Sequence, residues 1–345
     1  MERIMDINLN PEDYQIGDAR ESKAVHRNNN PFWNLLKKKS LTIIIIGINV
    51  LFFFLADGIK LFDTRLDDVA RELNTYRVRV IVQEQVYAFP FNRDTVFNYS
   101  FGSSYSPLIR HENQIYRFLA ATYQHAGLWH LVINMFSLFI IGRFFESMYG
   151  KMRFFVIYTI AGFSSTLFSF FAHFSFTFVS SVGASGSLFG LIGALLAFAL
   201  LNKNKLDPVY RKSLLNNLLF IIGLNLVIGF TVSGVDNVGH IGGLIGGLGA
   251  AFFIQPQMFL GAHKTEKDET PVMKTVFLLT IGIVVFSLLT NFYYYFSGRA
   301  FEGVKNVFRS RSAQSVSPGL RQPFPQNNAP VPENRRTLPD SGDEI

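Results

Sequence analysis

Seven apolar stretches, each close to the length a helix needs to cross a bilayer, dictate what this chain can become. They lie at about 40–57, 126–145, 153–173, 184–202, 213–232, 238–255 and 274–296. About 20 apolar residues rising 1.5 Å each cover the ~30 Å hydrocarbon layer. Inside lipid a segment must satisfy its own backbone hydrogen bonds, so these stretches are expected to be helices. Composition agrees, with 49% of the 345 residues hydrophobic and 17% charged, too apolar for an ordinary soluble domain. The expected fold class is an all-α polytopic membrane protein.

The net charge of +7 does not point to nucleic acid, and no such partner is expected, because the basic residues gather in short links between apolar stretches. The absence of cysteine excludes disulfides, zinc–thiolate sites and a cysteine nucleophile. No cleavable signal peptide is expected, since the first 39 residues are polar and read as a cytosolic arm ending in Lys37, Lys38 and Lys39. The links with Arg143, Lys151 and Arg153, and with Lys203, Lys205, Arg211 and Lys212, belong on that same cytosolic side. The second, fourth and sixth spans then run inward from the outer face. A large outer loop, 58–125, is too long to be a mere connector and is expected to hold short helices or an interfacial element. The seventh span, 273–297, leaves the tail outside, although the tail's seven Lys or Arg fit the charge rule poorly. That tail, 298–345, is rich in Pro, Asn, Gln, Ser and Arg and is expected to be disordered.

The orientation brings distant polar residues to one depth. Ser185, in GASGSLFG, sits in the first turn of the fourth span, and His240, in GHIGGLIGG, in the first turn of the sixth. His130 and Asn134, in HLVIN, open the second span and share a helix face at i and i+4. Ionisable groups in a membrane are costly and mark function by default. Serine beside histidine is acyl-transfer chemistry: Ser185 attacks a carbonyl after His240 takes its proton. His130, Asn134 and the Ser185 N–H are candidate oxyanion donors. Gly183 and Gly186 leave room for a substrate backbone. Asp236, four residues before His240, reads as a helix N-cap, so a dyad is expected. Gly239, Gly243 and Gly247, with Gly186, Gly190 and Ala194, form small-residue faces on which the fourth and sixth spans can touch. Such faces also arise in proteins without catalytic function. A multi-span transporter would instead carry polar groups near the midplane in paired halves.

Through GASGSLFG, GHIGGLIGG and HLVIN, residues 40–256 resemble the rhomboid family of intramembrane serine proteases. VDNVGHIGG, GRFFESMYG and His125 upstream of HLVIN add to the likeness. The resemblance implies a six-helix transmembrane core plus one extra C-terminal span (6+1), with a Ser185–His240 dyad, His130 and Asn134 on the oxyanion side, and no cofactor or metal. It implies single-span membrane proteins as substrates, cut near the outer face of the lipid bilayer. It also points to the fifth span, with Asn225 and Phe230, as a mobile gate, whereas from its residue type alone Asn225 reads as a polar helix–helix contact. Four positions depart from the family pattern. Tyr116-Arg117 stands for Trp-Arg, Glu146-Ser147-Met148 lacks the arginine of Glu-x-Arg, Phe189 replaces a tyrosine packed on the catalytic histidine, and Gly239 replaces alanine. An inactive relative that binds membrane proteins is the alternative; such proteins usually lack the serine or the histidine, and both are present here. A bacterial plasma membrane, with a cytosolic N-terminus, is the expected location.

Overall fold

The computed structural model describes residues 40–75, 79–82, 85–88, 91–174, 179–232, 234–254, 256 and 270–314. The expected arm, 1–39, and the tail beyond 314 lie outside them. Helix α1, Leu41–Phe62, runs five residues past the apolar stretch and buries one stripe, Ile45, Asn49, Phe52 and Ala56. That spacing is the narrow face of a helix with lipid on its other sides. Its N-terminus is held from a distance. The Glu146 carboxylate accepts from the backbone N–H groups of Leu41 and Thr42, both at 2.9 Å, and from the hydroxyls of Ser40 and Thr42, both at 2.6 Å. This answers the departure from Glu-x-Arg: Glu146 caps the first span and needs no arginine.

The loop that follows is a folded unit. Helix α2, Arg65–Thr75, buries Leu66, Val69, Ala70 and Leu73. Strands β1 (Arg79–Val82) and β2 (Gln85–Ala88) form an antiparallel hairpin, a small departure from the all-α expectation. Helices α3 (Arg93–Ser100), α4 (Ser106–His111) and α5 (Arg117–Ala120) complete it. Arg117 is fully buried, donating to Gln114 Oε1 (2.7 Å) and the Ser103 carbonyl (2.9 Å). Tyr116 donates to that same Gln114 oxygen at 3.1 Å, so the Tyr-Arg pair ties the loop together.

The remaining spans follow the hydropathy closely: α6 (Leu128–Tyr149, with a π turn at Leu138–Gly142), α7 (Lys151–Ala172), α8 (Ser185–Leu201), α9 (Pro208–Thr231), α10 (Asn237–Phe253) and α11 (Pro271–Phe296). Five of the seven, α1, α6, α7, α9 and α11, are long and apolar enough to cross a membrane. Helices α8 and α10, with 17 residues each, are roughly 26 Å long. They pack on each other and on α7 at the centre of the molecule. Helix α9 is the opposite case and buries only Leu218 and Gly229.

Part of the tail expected to be disordered is helical: α12, Arg299–Gln314. It buries Ala300, Phe301, Val304, Val307 and Phe308, a pattern at i, i+1, i+4, i+7 and i+8 that a polar average over the tail conceals. Its apolar face meets α2, α3 and α4, while Lys305 (3.0 Å) and Arg309 (3.2 Å) pair with Glu72. At the junction Tyr295 donates to Asp63 at 2.9 Å, and Arg65 lies over the Tyr295 and Phe301 rings. The start of the tail therefore lies at the same end of the bundle as the 63–125 loop.

Candidate active site

Helix α8 begins at Ser185 and α10 three residues before His240, so both side chains emerge in first turns at the same end of the bundle. What lets them meet is the absence of side chains between the helices. A Cβ on Gly190 or Gly247 would overlap the facing helix, Gly243 against the Gly186 carbonyl likewise, and Gly193 against that of Leu244. A second stripe, Gly242 and Gly246, lies on α7, where Ser164 donates to the Gly242 carbonyl at 2.8 Å. The GG doublets at 242–243 and 246–247 are the sequence signal of this second face, which the stripe of Gly239, Gly243 and Gly247 does not include.

Contact at that range puts His240 Nε2 2.9 Å from Ser185 Oγ. Phe189 stacks on the imidazole with ring centroids 4.4 Å apart and planes 7° from parallel, so the phenyl group keeps the packing without a hydroxyl. Asp236 caps α10, accepting from Gly239 N–H at 2.8 Å. Its second oxygen and His240 Nδ1 are both buried without a hydrogen-bond partner among the described residues, so no hydrogen bond joins Asp236 to the imidazole. The glycine at 239 is a consequential departure. A Cβ there would lie 2.6 Å from Asp236 Oδ2 and 3.2 Å from Ser165 Oγ, so alanine would press on the cap.

The turn before Ser185 meets α6. Gly183 has φ +112°, a conformation L side chains rarely adopt, and its α-carbon faces the His130 ring. A Cβ at 183 would lie 2.7–2.8 Å from His130 ring atoms and 3.7 Å from Asn134 Nδ2. One Asn134 N–H donates to the His130 carbonyl at 2.8 Å, which leaves the other for a ligand. Gly186 packs on Ser165 of α7. His125 stands edge-on to His130 at 5.2 Å; burial, with His130 beside it, lowers its imidazole pKa to about 3, so it is neutral at physiological pH. Among the described residues no cluster of His, Cys, Asp or Glu could hold a metal ion. Asn225 is not the helix–helix contact expected of its residue type. It is exposed and donates back to the Ile221 carbonyl of its own helix at 2.8 Å. Phe230 is exposed on the same helix.

The rhomboid domain model matches residues 112–257, the stretch that holds all four polar residues. The chain carries a rhomboid domain over that stretch. It is 36% identical over 184 residues to the rhomboid protease GluP of Bacillus subtilis, across 53% of this chain and 33% of that protein. To the mitochondrial RHOMBOID-like protein 6 of Arabidopsis thaliana it is 43% identical over 149 residues, across 42% and 46%. It is also 35% identical over 133 residues to the inactive RHOMBOID-like protein 8 of that plant, across 39% and 36%. The chain thus spans from a third to about a half of these relatives. Rhomboids are in general intramembrane serine proteases acting on transmembrane substrates, with inactive members among them.

Proposed function

We propose that this rhomboid is an active intramembrane serine endopeptidase working through a Ser185–His240 dyad. The reading rests on the 2.9 Å hydrogen bond between Ser185 Oγ and His240 Nε2. With Nε2 accepting, the imidazole proton sits on Nδ1. His240 takes the hydroxyl proton as Ser185 Oγ bonds to the scissile carbonyl carbon, then delivers it to the leaving amine. Water hydrolyses the resulting ester by the same route, regenerating Ser185. The oxyanion is met by the Ser185 N–H, His130 and the uncommitted Asn134 N–H, each donor being worth roughly 3–4 kcal/mol in the transition state.

The substrates are single-span membrane proteins cut near the outer face. A peptide bond in a helix is shielded by its neighbours and must be extended before attack. The shallow position of the dyad suits a segment unwinding at the membrane boundary. Helix α9 is the gate, because it buries so little against the core that moving it costs few contacts. The catalytic core is assigned to 40–256, in a bacterial plasma membrane with the N-terminus cytosolic. The basic links at Arg143–Lys151 and Lys203–Lys212, at the opposite end of the bundle from Ser185, support that orientation. The test is cleavage of a model single-span substrate in liposomes, expected for the native chain and lost in Ser185→Ala and His240→Ala. Equal cleavage by these variants would refute it; no cleavage by any of them would favour an inactive membrane-protein binder.

A further inference from the structure

The segment leading to Ser185 is not held by the membrane core alone. Ser181 exchanges two backbone hydrogen bonds with Ser104 of the outer loop, at 2.9 and 3.0 Å, and Gly183 N–H donates to the Ala121 carbonyl at 2.9 Å. Ser181 is four residues before Ser185, so whatever fixes Ser104 sets the register of the turn that presents the hydroxyl.

Ser104 is fixed by the C-terminal part of the chain. The ring of its neighbour Tyr105 is fully buried against Tyr99 (centroids 4.3 Å) and Phe308 of α12 (6.3 Å), which also touch each other at 5.9 Å. Phe91 packs edge-on with Phe308 at 4.6 Å. On the other side of Ser104, Gly102 (φ +91°) packs directly on Asn291 of α11, so closely that any Cβ would collide with the amide. Residues 102–105 are therefore clamped between α11 and α12 on one side and Ser181 on the other.

We infer that the seventh span and α12 are a brace for the active-site turn, with Phe308 and Asn291 as positioning residues that act through the Ser104–Ser181 pairing. The consequence for the reaction rests on the proteolytic reading above; the mechanical linkage does not. Phe308 lies in α12, C-terminal to both the 112–257 domain and the 40–256 core.

The test uses the full chain in detergent, comparing native protein with Phe308→Ala by amide hydrogen exchange of peptides covering 179–184 and 188–200, alongside kinetics with a model substrate. Exchange at 179–184 is expected to rise at least about tenfold, with 188–200 unchanged. The kcat is expected to fall about tenfold with KM within twofold, and Phe308→Leu to recover part of both. Unchanged protection at 179–184 overturns the brace whatever the activity. Increased exchange with undiminished kcat overturns its positioning role. If Phe308→Ala does not fold, Phe308→Leu and Asn291→Ala carry the same readouts. If the native protein neither cleaves substrate nor reacts at Ser185, the proteolytic reading fails, and exchange at 179–184 still decides the linkage.

Discussion

Ser185 Oγ and His240 Nε2 stand 2.9 Å apart although 55 positions separate them in the chain. The distance is a product of glycine. Two helices whose facing residues are Gly186, Gly190, Gly243 and Gly247 approach until backbone meets backbone, and their first turns then present the two side chains to each other.

Gly247→Ala is accordingly expected to separate α8 from α10. The new methyl group would overlap the Gly190 carbonyl, and overpacking of this kind costs about 1–3 kcal/mol. Gly249→Ala is the control on the same helix, with nothing within 4 Å of its Cβ. It should leave stability unchanged or raise it by up to about 1 kcal/mol. Thermal inactivation midpoints of the two variants check this.

The ring stack on His240 sets a second expectation. Phe189→Ala removes a contact worth about 0.5–1.5 kcal/mol beyond burial, so kcat should drop roughly 2- to 10-fold with KM little changed. Phe189→Tyr should keep most of the activity. Steady-state kinetics on one substrate separates the two terms.

Glu146 predicts a defect far from the chemistry. Glu146→Ala leaves the first turn of α1 without its four hydrogen bonds, and loss of a helix cap costs roughly 1–2 kcal/mol. The melting temperature should fall while kcat at low temperature is retained.

The junction of loop and tail should respond to acid. Burial pushes the Asp63 carboxyl up, but hydrogen bonds from Arg65 and Tyr295 outweigh it and hold the group below its ordinary value of 3.8. A depressed carboxylate stabilises the fold above that value, and the contribution is lost as pH falls below it through the folded pKa. Thermal stability of the native chain should therefore decline below about pH 4, with a shallower decline in Asp63→Asn. Identical pH profiles would show that this junction contributes nothing.

The spans were legible because lipid leaves the chain no alternative to helices, and the residues at Ser185 and His240 were legible because alternating spans bring their first turns to one depth. The cap role of Asp236 followed from its place before an apolar run, and Gly239 N–H fills it. What escaped were contacts whose two halves lie far apart in the chain. Glu146 finds its partners about a hundred residues upstream, and α12 earns its order from α2–α4 rather than from its own polar composition. Asn225 failed for the reverse reason: a helix in lipid can satisfy an amide with its own i−4 carbonyl, so the residue type alone does not call for a partner helix.

The most direct measurement is the reaction of the full chain with a serine-directed fluorophosphonate, mapped by mass spectrometry. A single adduct is expected on the peptide carrying Ser185, absent in Ser185→Ala and slowed at least about a hundredfold in His240→Ala. An adduct on another residue, or equal labelling of native and Ser185→Ala protein, would contradict it.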